Sequence, residues 1–171
     1  MLAGGGASSD PYVQKLRQHA SDRTLLLDYV SGDAFEELLT NAMLFILPSD
    51  LEGLSLALLE AMGTGLCVLV SDIPENRELM QDAGFTFHPG DCADLRKMLT
   101  LLIHAKFLRA AAGRAARKRI EEQYLWSGIA SQIEQAYLEI MGWTPGKIEP
   151  TQTPTKHLVP SRPRVTATLG K

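Results

Sequence analysis

A chain of 171 residues, 45% of them hydrophobic, is long enough for one domain with a buried core and has the make-up of an ordinary globular protein. Its net charge of −3 leaves no electrostatic footprint for nucleic acid, and its two cysteines and four scattered histidines show no metal-ligand spacing. The first residues are too few and too uncharged for a secretory signal, and the most apolar window, residues 54–70, is broken by Glu60, Gly63 and Gly65, which argues against a membrane span.

Met1-Leu2-Ala3 followed by glycines reads as the end of a strand and its turn. Asp10 and Pro11 start a helix as N-cap and N1, running to about His19 with Val13 and Leu16 inward. Residues 24–30 predict a second strand, and 34–41 a helix with Phe35, Leu38 and Leu39 inward. The apolar run 43–47 predicts a buried parallel strand. A short polar loop follows, then a helix of strong formers from Leu56, stopped by Gly63 and Gly65. Residues 66–70 predict a fourth strand, whose Cys67 reads as a buried thiol of a reducing compartment. Pro74 and Glu75 open a short helix to about Met80, residues 84–87 form a last strand, and Asp91 caps a helix to about Ile103. Helices over 106–123 and 127–141 complete the order. Alternating strands and helices predict an α/β chain: a Rossmann-like, doubly wound parallel sheet with helices on both faces. That domain is expected over residues 1–143. Residues 144–171 are rich in Pro and Thr, locally basic and without period, and are expected to be a disordered tail; an inert solvated tail is the simpler reading, binding to an acidic partner or to headgroups the other.

The chemistry is expected where the strand 43–47 turns into the next helix. In open α/β folds ligands bind at such junctions, because unpaired N–H groups at a helix start, aided by the helix dipole, point at an anion. Glu52 stands at the junction and Glu60 eight positions later, about two helical turns along. Taken alone, Glu60 also fits the exposed side of an ordinary helix or a structural pair with an Arg, and Glu52 a charge that complements the dipole.

The whole string Pro48-Ser49-Asp50-Leu51-Glu52-Gly53, with Glu60-Ala61-Met62 and Gly65 behind it, resembles the signature of the family 4 glycosyltransferases. These are the Glu-x7-Glu retaining enzymes with a GT-B fold. The stretches 68–76 and 84–87, and Gly90-Asp91 opening the next helix, continue the resemblance, which covers about residues 2–143. It implies that this chain is the C-terminal, sugar-nucleotide-binding half of a GT-B enzyme. That enzyme would transfer a hexose from a UDP-, GDP- or ADP-sugar, with retention, to a glycan or lipid-linked acceptor. Glu52 then matches the residue near the transferred sugar, and Glu60 the one that binds the ribose hydroxyls. The backbone at Gly53, Leu54, Ser55 and Leu56 matches the diphosphate and sugar cradle, and the turn Tyr29-Val30-Ser31 the segment against which the base packs. The resemblance implies no metal and no cofactor, and a cytoplasmic location, with peripheral attachment at the inner membrane face left open.

The family's domain begins with a strand and a loop carrying an Arg and a Lys, and this chain starts inside the strand after it. In the order 3-2-1-4-5-6 that first strand is central, so its loss leaves a gap in the sheet. Either the first strand here pairs with the strand 43–47, or a partner, such as a separate N-terminal domain chain, fills the gap. The isolated chain is therefore expected to be a weak catalyst or none. A non-catalytic sugar-nucleotide-binding subunit and a truncated gene fragment are the alternatives.

Overall fold

The computed structural model describes residues 1–5 and 10–142; the segment 144–171, expected to be a tail, lies outside the described residues. Residues Met1–Ala130 form one compact unit, and a second begins at Ser131. The elements are β1 (Leu2–Ala3), α1 (Pro11–Arg17), β2 (Leu26–Leu27), α2 (Asp33–Asn41), β3 (Phe45–Leu47), α3 (Leu56–Gly63), β4 (Val68–Ser71), α4 (Pro74–Met80), β5 (Phe85–Phe87), α5 (Cys92–His104), α6 (Lys106–Gln123) and α7 (Trp126–Ile140). No helix among the described residues is long and apolar enough to cross a membrane.

The caps read from sequence form. Asp10 accepts the Tyr12 N–H at 2.7 Å, and one Asp91 carboxylate oxygen accepts those of Ala93 and Asp94 at 2.8 and 3.0 Å. Each satisfies donors that a helix start leaves unpaired. The strands are shorter than their apolar runs. β2 has two residues instead of seven, because its ladder partner β1 has only two to offer: Leu2 pairs with Leu26 and Ala3 with Leu27, in parallel.

Among the described residues every strand ladder is parallel, in two sheets, β1–β2 and β3–β4–β5, and only the isolated Ser21–Thr24 bridge is antiparallel. The first strand therefore does not pair with the strand 43–47, and that way of closing the sheet is not taken. β4 is the centre of the larger sheet and is buried along its whole length. Its residues alternate between two cores, as a strand's period of two requires. Val68 and Val70 pack with Leu39 of α2, Leu58 and Met62 of α3, Leu79 and Met80 of α4, and Ala116 of α6. Leu69, with Cys67 just before the strand, packs on the other face with Phe87 and with Leu102 of α5.

Helix α3 is fixed by this arrangement. Leu58, Ala61 and Met62 face the core with no exposed surface, while Leu56 and Glu60, four apart, face outward. Burying Leu58 and Met62 stabilises the unit by about 1.5–3 kcal/mol each. The C-terminal end of α3 is held by backbone. A Cβ on Gly113 of α6 would lie 2.0 Å from the Gly65 carbonyl oxygen, so α6 meets the α3–β4 turn with no side chain between them.

Candidate nucleotide-sugar site

The loop 48–55 leaves the carboxyl end of β3 and enters α3, and its shape rests on a chain of hydrogen bonds. Asn76, on α4, is 1% exposed and donates through Nδ2 to the Ser71 carbonyl at 3.0 Å and to Ser71 Oγ at 3.3 Å. Ser71, the last residue of β4, donates its hydroxyl to the Ser49 carbonyl. Ser49 Oγ donates to Glu52 Oε1 at 2.5 Å. The half-buried Glu52 carboxylate is thus positioned from the adjacent strand and helix, and among the described residues this is its one recorded bond. Charge-assisted O–H···O bonds of this length are the stronger kind.

Ser55 is the N-cap of α3 and is buried, but its side chain caps nothing. Its carbonyl accepts the Leu59 N–H at 3.1 Å, so the N–H groups of the first turn have no side-chain cap. Glu60 is exposed, and its carboxylate has no hydrogen bond or ion pair among the described residues. No Arg among the described residues pairs with Glu60. Leu51, Leu54 and Leu56 are exposed around the loop. Gly53 and Leu54 also line a cavity of about 300 Å³ with Glu75, Glu78 and Leu79 of α4 and Tyr124, which follows α6. Arg119 fixes that wall: it donates to the Glu78 carbonyl at 2.8 Å and to that of Leu79, and its guanidinium lies 5.7 Å from the Tyr124 ring centroid.

Glu52, Gly53, Leu54, Ser55, Leu56 and Glu60 are therefore brought together along one loop and one helix face. Tyr29, Val30 and Ser31 lie apart from them in the chain, after β2 of the smaller sheet. Tyr29 is 79% exposed, and a Cβ on Gly5 would lie 3.6 Å from the Tyr29 Cβ. No hydrogen bond joins this turn to the 48–55 loop among the described residues. The sequence reading gave no role to Ser49, Ser71 or Asn76, although all three stand inside its motifs.

Two charged pairs stand beyond the carboxyl ends of β4 and β5. The Arg77 guanidinium hydrogen-bonds Asp72 and holds its carboxyl below the usual range. His88 Nδ1 lies 2.9 Å from Asp94 Oδ2, and that contact raises the imidazole above its ordinary value. Burial pushes the Cys67 thiol up to about 11, with Arg109 opposing the shift. Among the described residues no cluster of His, Cys, Asp or Glu could hold a metal.

Parallel strands with helices on both faces, and an uncapped helix start at the carboxyl edge of the larger sheet, define a Rossmann-like α/β binding unit. Residues 1–119 match the family model for glycosyl transferases group 1, and the chain belongs to that family. It is 34% identical over 128 residues to a sulfoquinovosyl transferase of Arabidopsis thaliana, covering 70% of this chain and 24% of that one. It is 29% identical over 144 residues to the N-acetyl-alpha-D-glucosaminyl L-malate synthase of Bacillus anthracis, covering 82% and 37%. The sucrose-phosphate synthase structure from Thermosynechococcus elongatus superposes with a TM-score of 0.73 at 20% identity, over 82% of this chain and 38% of that one. Anabaena HepE in complex with UDP-glucose gives 0.72 at 20% identity, over 81% and 40%. The fold is that of GT-B glycosyltransferases, and the chain spans about a quarter to two-fifths of the length of these relatives.

Proposed function

We propose that this chain is the donor-binding part of a family 4, Glu-x7-Glu glycosyltransferase, which transfers a hexose with retention from a nucleoside diphosphate sugar to a glycan or lipid-linked acceptor. The observation that carries this reading is the 48–55 loop, where a braced Glu52 stands beside the uncapped start of α3. The backbone at Gly53, Leu54, Ser55 and Leu56 receives the diphosphate and sugar. As the glycosidic bond breaks, the leaving diphosphate gains negative charge, and preorganised N–H donors stabilise that charge more in the transition state than in the ground state. Glu52 keeps Oε2 free to accept from a hydroxyl of the transferred sugar. The exposed Glu60 carboxylate is a bidentate acceptor for the two ribose hydroxyls. The base packs against Tyr29, Val30 and Ser31. The reaction takes no metal and no cofactor, and runs in the cytoplasm. HepE, a relative in fold, was captured with UDP-glucose, which favours a sugar nucleotide as the ligand. The donor unit extends over residues 1–143, with residues 144–171 as its tail, and the acceptor site belongs to an N-terminal domain outside this chain.

The divided sheet favours a second reading, in which the chain binds the sugar nucleotide without transferring it and a second polypeptide completes the enzyme. One experiment addresses both: thermal unfolding of the chain with UDP-, GDP- and ADP-sugars, read beside sugar transfer. A ligand at a hundred times its Kd stabilises by about 2.7 kcal/mol. One nucleotide sugar is expected to raise the midpoint, and Glu60→Ala to abolish the rise. No shift with any of the three overturns donor binding. A shift without transfer selects the second reading.

A further inference from the structure

The chain is acidic, but its charge is unevenly placed. Between Asp94 and Glu121 it carries no Asp or Glu and eight of its seventeen Lys and Arg, leaving nine against all twenty acids elsewhere. This run is the pair of helices α5 and α6, which share a single linking residue, Ala105, as C-cap of one and N-cap of the other. Arg109 locks the corner by donating to the Leu102 carbonyl and, at 2.8 Å, to that of Ile103. At this corner Phe107 is 91% exposed and Ile103 51%, with Leu101 and Leu108 also exposed. Four of the cations have side chains without a hydrogen bond or ion pair among the described residues: Arg96 and Lys97 on α5, Lys106 at the corner, and Arg114 on α6. Phe107, Ala111 and Arg114 are spaced to share one face of α6. Along the helices, the nearest acid is about 13 Å from Ile103 and about 21 Å from Phe107.

An ordinary solvated helix pair intersperses its charges and turns its large apolar side chains inward. A rigid corner that presents an aromatic ring and aliphatic side chains amid cations without an ion pair among the described residues, with only Asp94 in electrostatic reach of Lys97, is complementary to a surface that is negative outside and apolar beneath. We propose that the α5–α6 corner docks on an anionic lipid bilayer, with Phe107 and Ile103 entering the headgroup boundary and Lys97, Lys106, Arg96 and Arg114 meeting lipid phosphates. The inference is independent of the transfer reaction.

The test is co-sedimentation of the full chain with vesicles of phosphatidylcholine alone, and of phosphatidylcholine with about a third phosphatidylglycerol. Binding is expected to the anionic vesicles only, and to fall steeply as added salt shortens the Debye length. Lys97→Ala and Lys106→Ala should each lower the partition coefficient about fivefold. Phe107→Ala should lower it about tenfold or more. Because these side chains are exposed, unfolding midpoints should not move. Four results would overturn the proposal: no binding to anionic vesicles, equal binding to the neutral ones, binding unchanged by all three substitutions but lost on removing residues 144–171, or capture by single-stranded RNA without capture by vesicles.

Discussion

Replacing Asn76 tests the hydrogen-bond chain that positions Glu52. Asn76→Ala removes two bonds from a side chain that is 1% exposed. At about 1 kcal/mol net for each, the loss is about 2 kcal/mol, or roughly 8 °C in midpoint for a unit of this size. The Ser71 carbonyl keeps the Ile73 N–H at 2.9 Å, so the variant does not strand it. Asn76→Asp is the sharper probe, because it keeps the volume and exchanges the donor for a carboxylate aimed at two oxygens. Its cost at neutral pH is about 3 kcal/mol or more. Burial and the facing oxygens raise the folded pKa of such a carboxyl, so the folded state binds the proton more tightly. The Asp variant's deficit should therefore be smallest below the unfolded value of about 3.9, and grow as pH rises through the folded one. Urea unfolding of the three proteins at neutral and acid pH measures both terms. If both variants lie within about 0.5 kcal/mol of the parent, or the Asp deficit does not shrink in acid, the chain of bonds does not hold the loop.

Gly113→Ala should destabilise by about 3 kcal/mol or more, because its Cβ would meet the Gly65 backbone at 2.0 Å, whereas Gly128→Ala, with nothing within 4 Å, should be neutral or stabilise by about 0.5 kcal/mol; chemical denaturation compares them. A thiol reagent should titrate only the exposed Cys92 in the native protein and reach Cys67, buried and pushed up to about 11, only on unfolding; two fast thiols would contradict that packing. The contact with Asp94 raises His88, so its stabilising contribution is fully present below the ordinary 6.5 and lost as pH rises through the folded value. His88→Asn should flatten stability across that window and weaken the acid limb only in part: Asp94 loses the imidazole but keeps the His88 backbone N–H, and Asp72 keeps Arg77; an unchanged profile would refute the pairing.

The elements around the site could be read because each has a local cause. Asp10 and Asp91 cap the helices they precede, and the apolar run of β4 is buried on both faces. The loop at Glu52 was legible from its spacing and from the switch from strand to helix. Its support was not. Asn76 stands in the polar run Glu75-Asn76-Arg77-Glu78, which reads as helix surface, and its burial depends on a strand end five residues back. The Ser71–Ser49 bond joins residues 22 apart, and no periodicity reports such a pair. Strand lengths were overestimated where an apolar run outlasts its partner, as in the second strand. The wall made by Arg119 and Tyr124 was missed for a related reason: it joins α6 to α4 across about 40 positions.

The separation of the β1–β2 pair from the larger sheet leaves the unit with two very unequal local stabilities. β1 is exposed and paired over two residues, and α1 buries no side chain, whereas β4 is buried throughout. Amide protons of Leu26 and Leu27 should therefore exchange through a local opening far below the global free energy, while those of Val68 to Val70 wait for complete unfolding. Tyr29, Val30 and Ser31 hang on the weakly held part. A nucleotide that uses them must order that part as it binds, and its apparent affinity falls by the fraction of time the part is in place. In the proposed enzyme, a strand supplied to the edge of β1 or β3 that is unpaired among the described residues would then tighten donor binding without touching the donor, so these edges would act as an affinity control on the site.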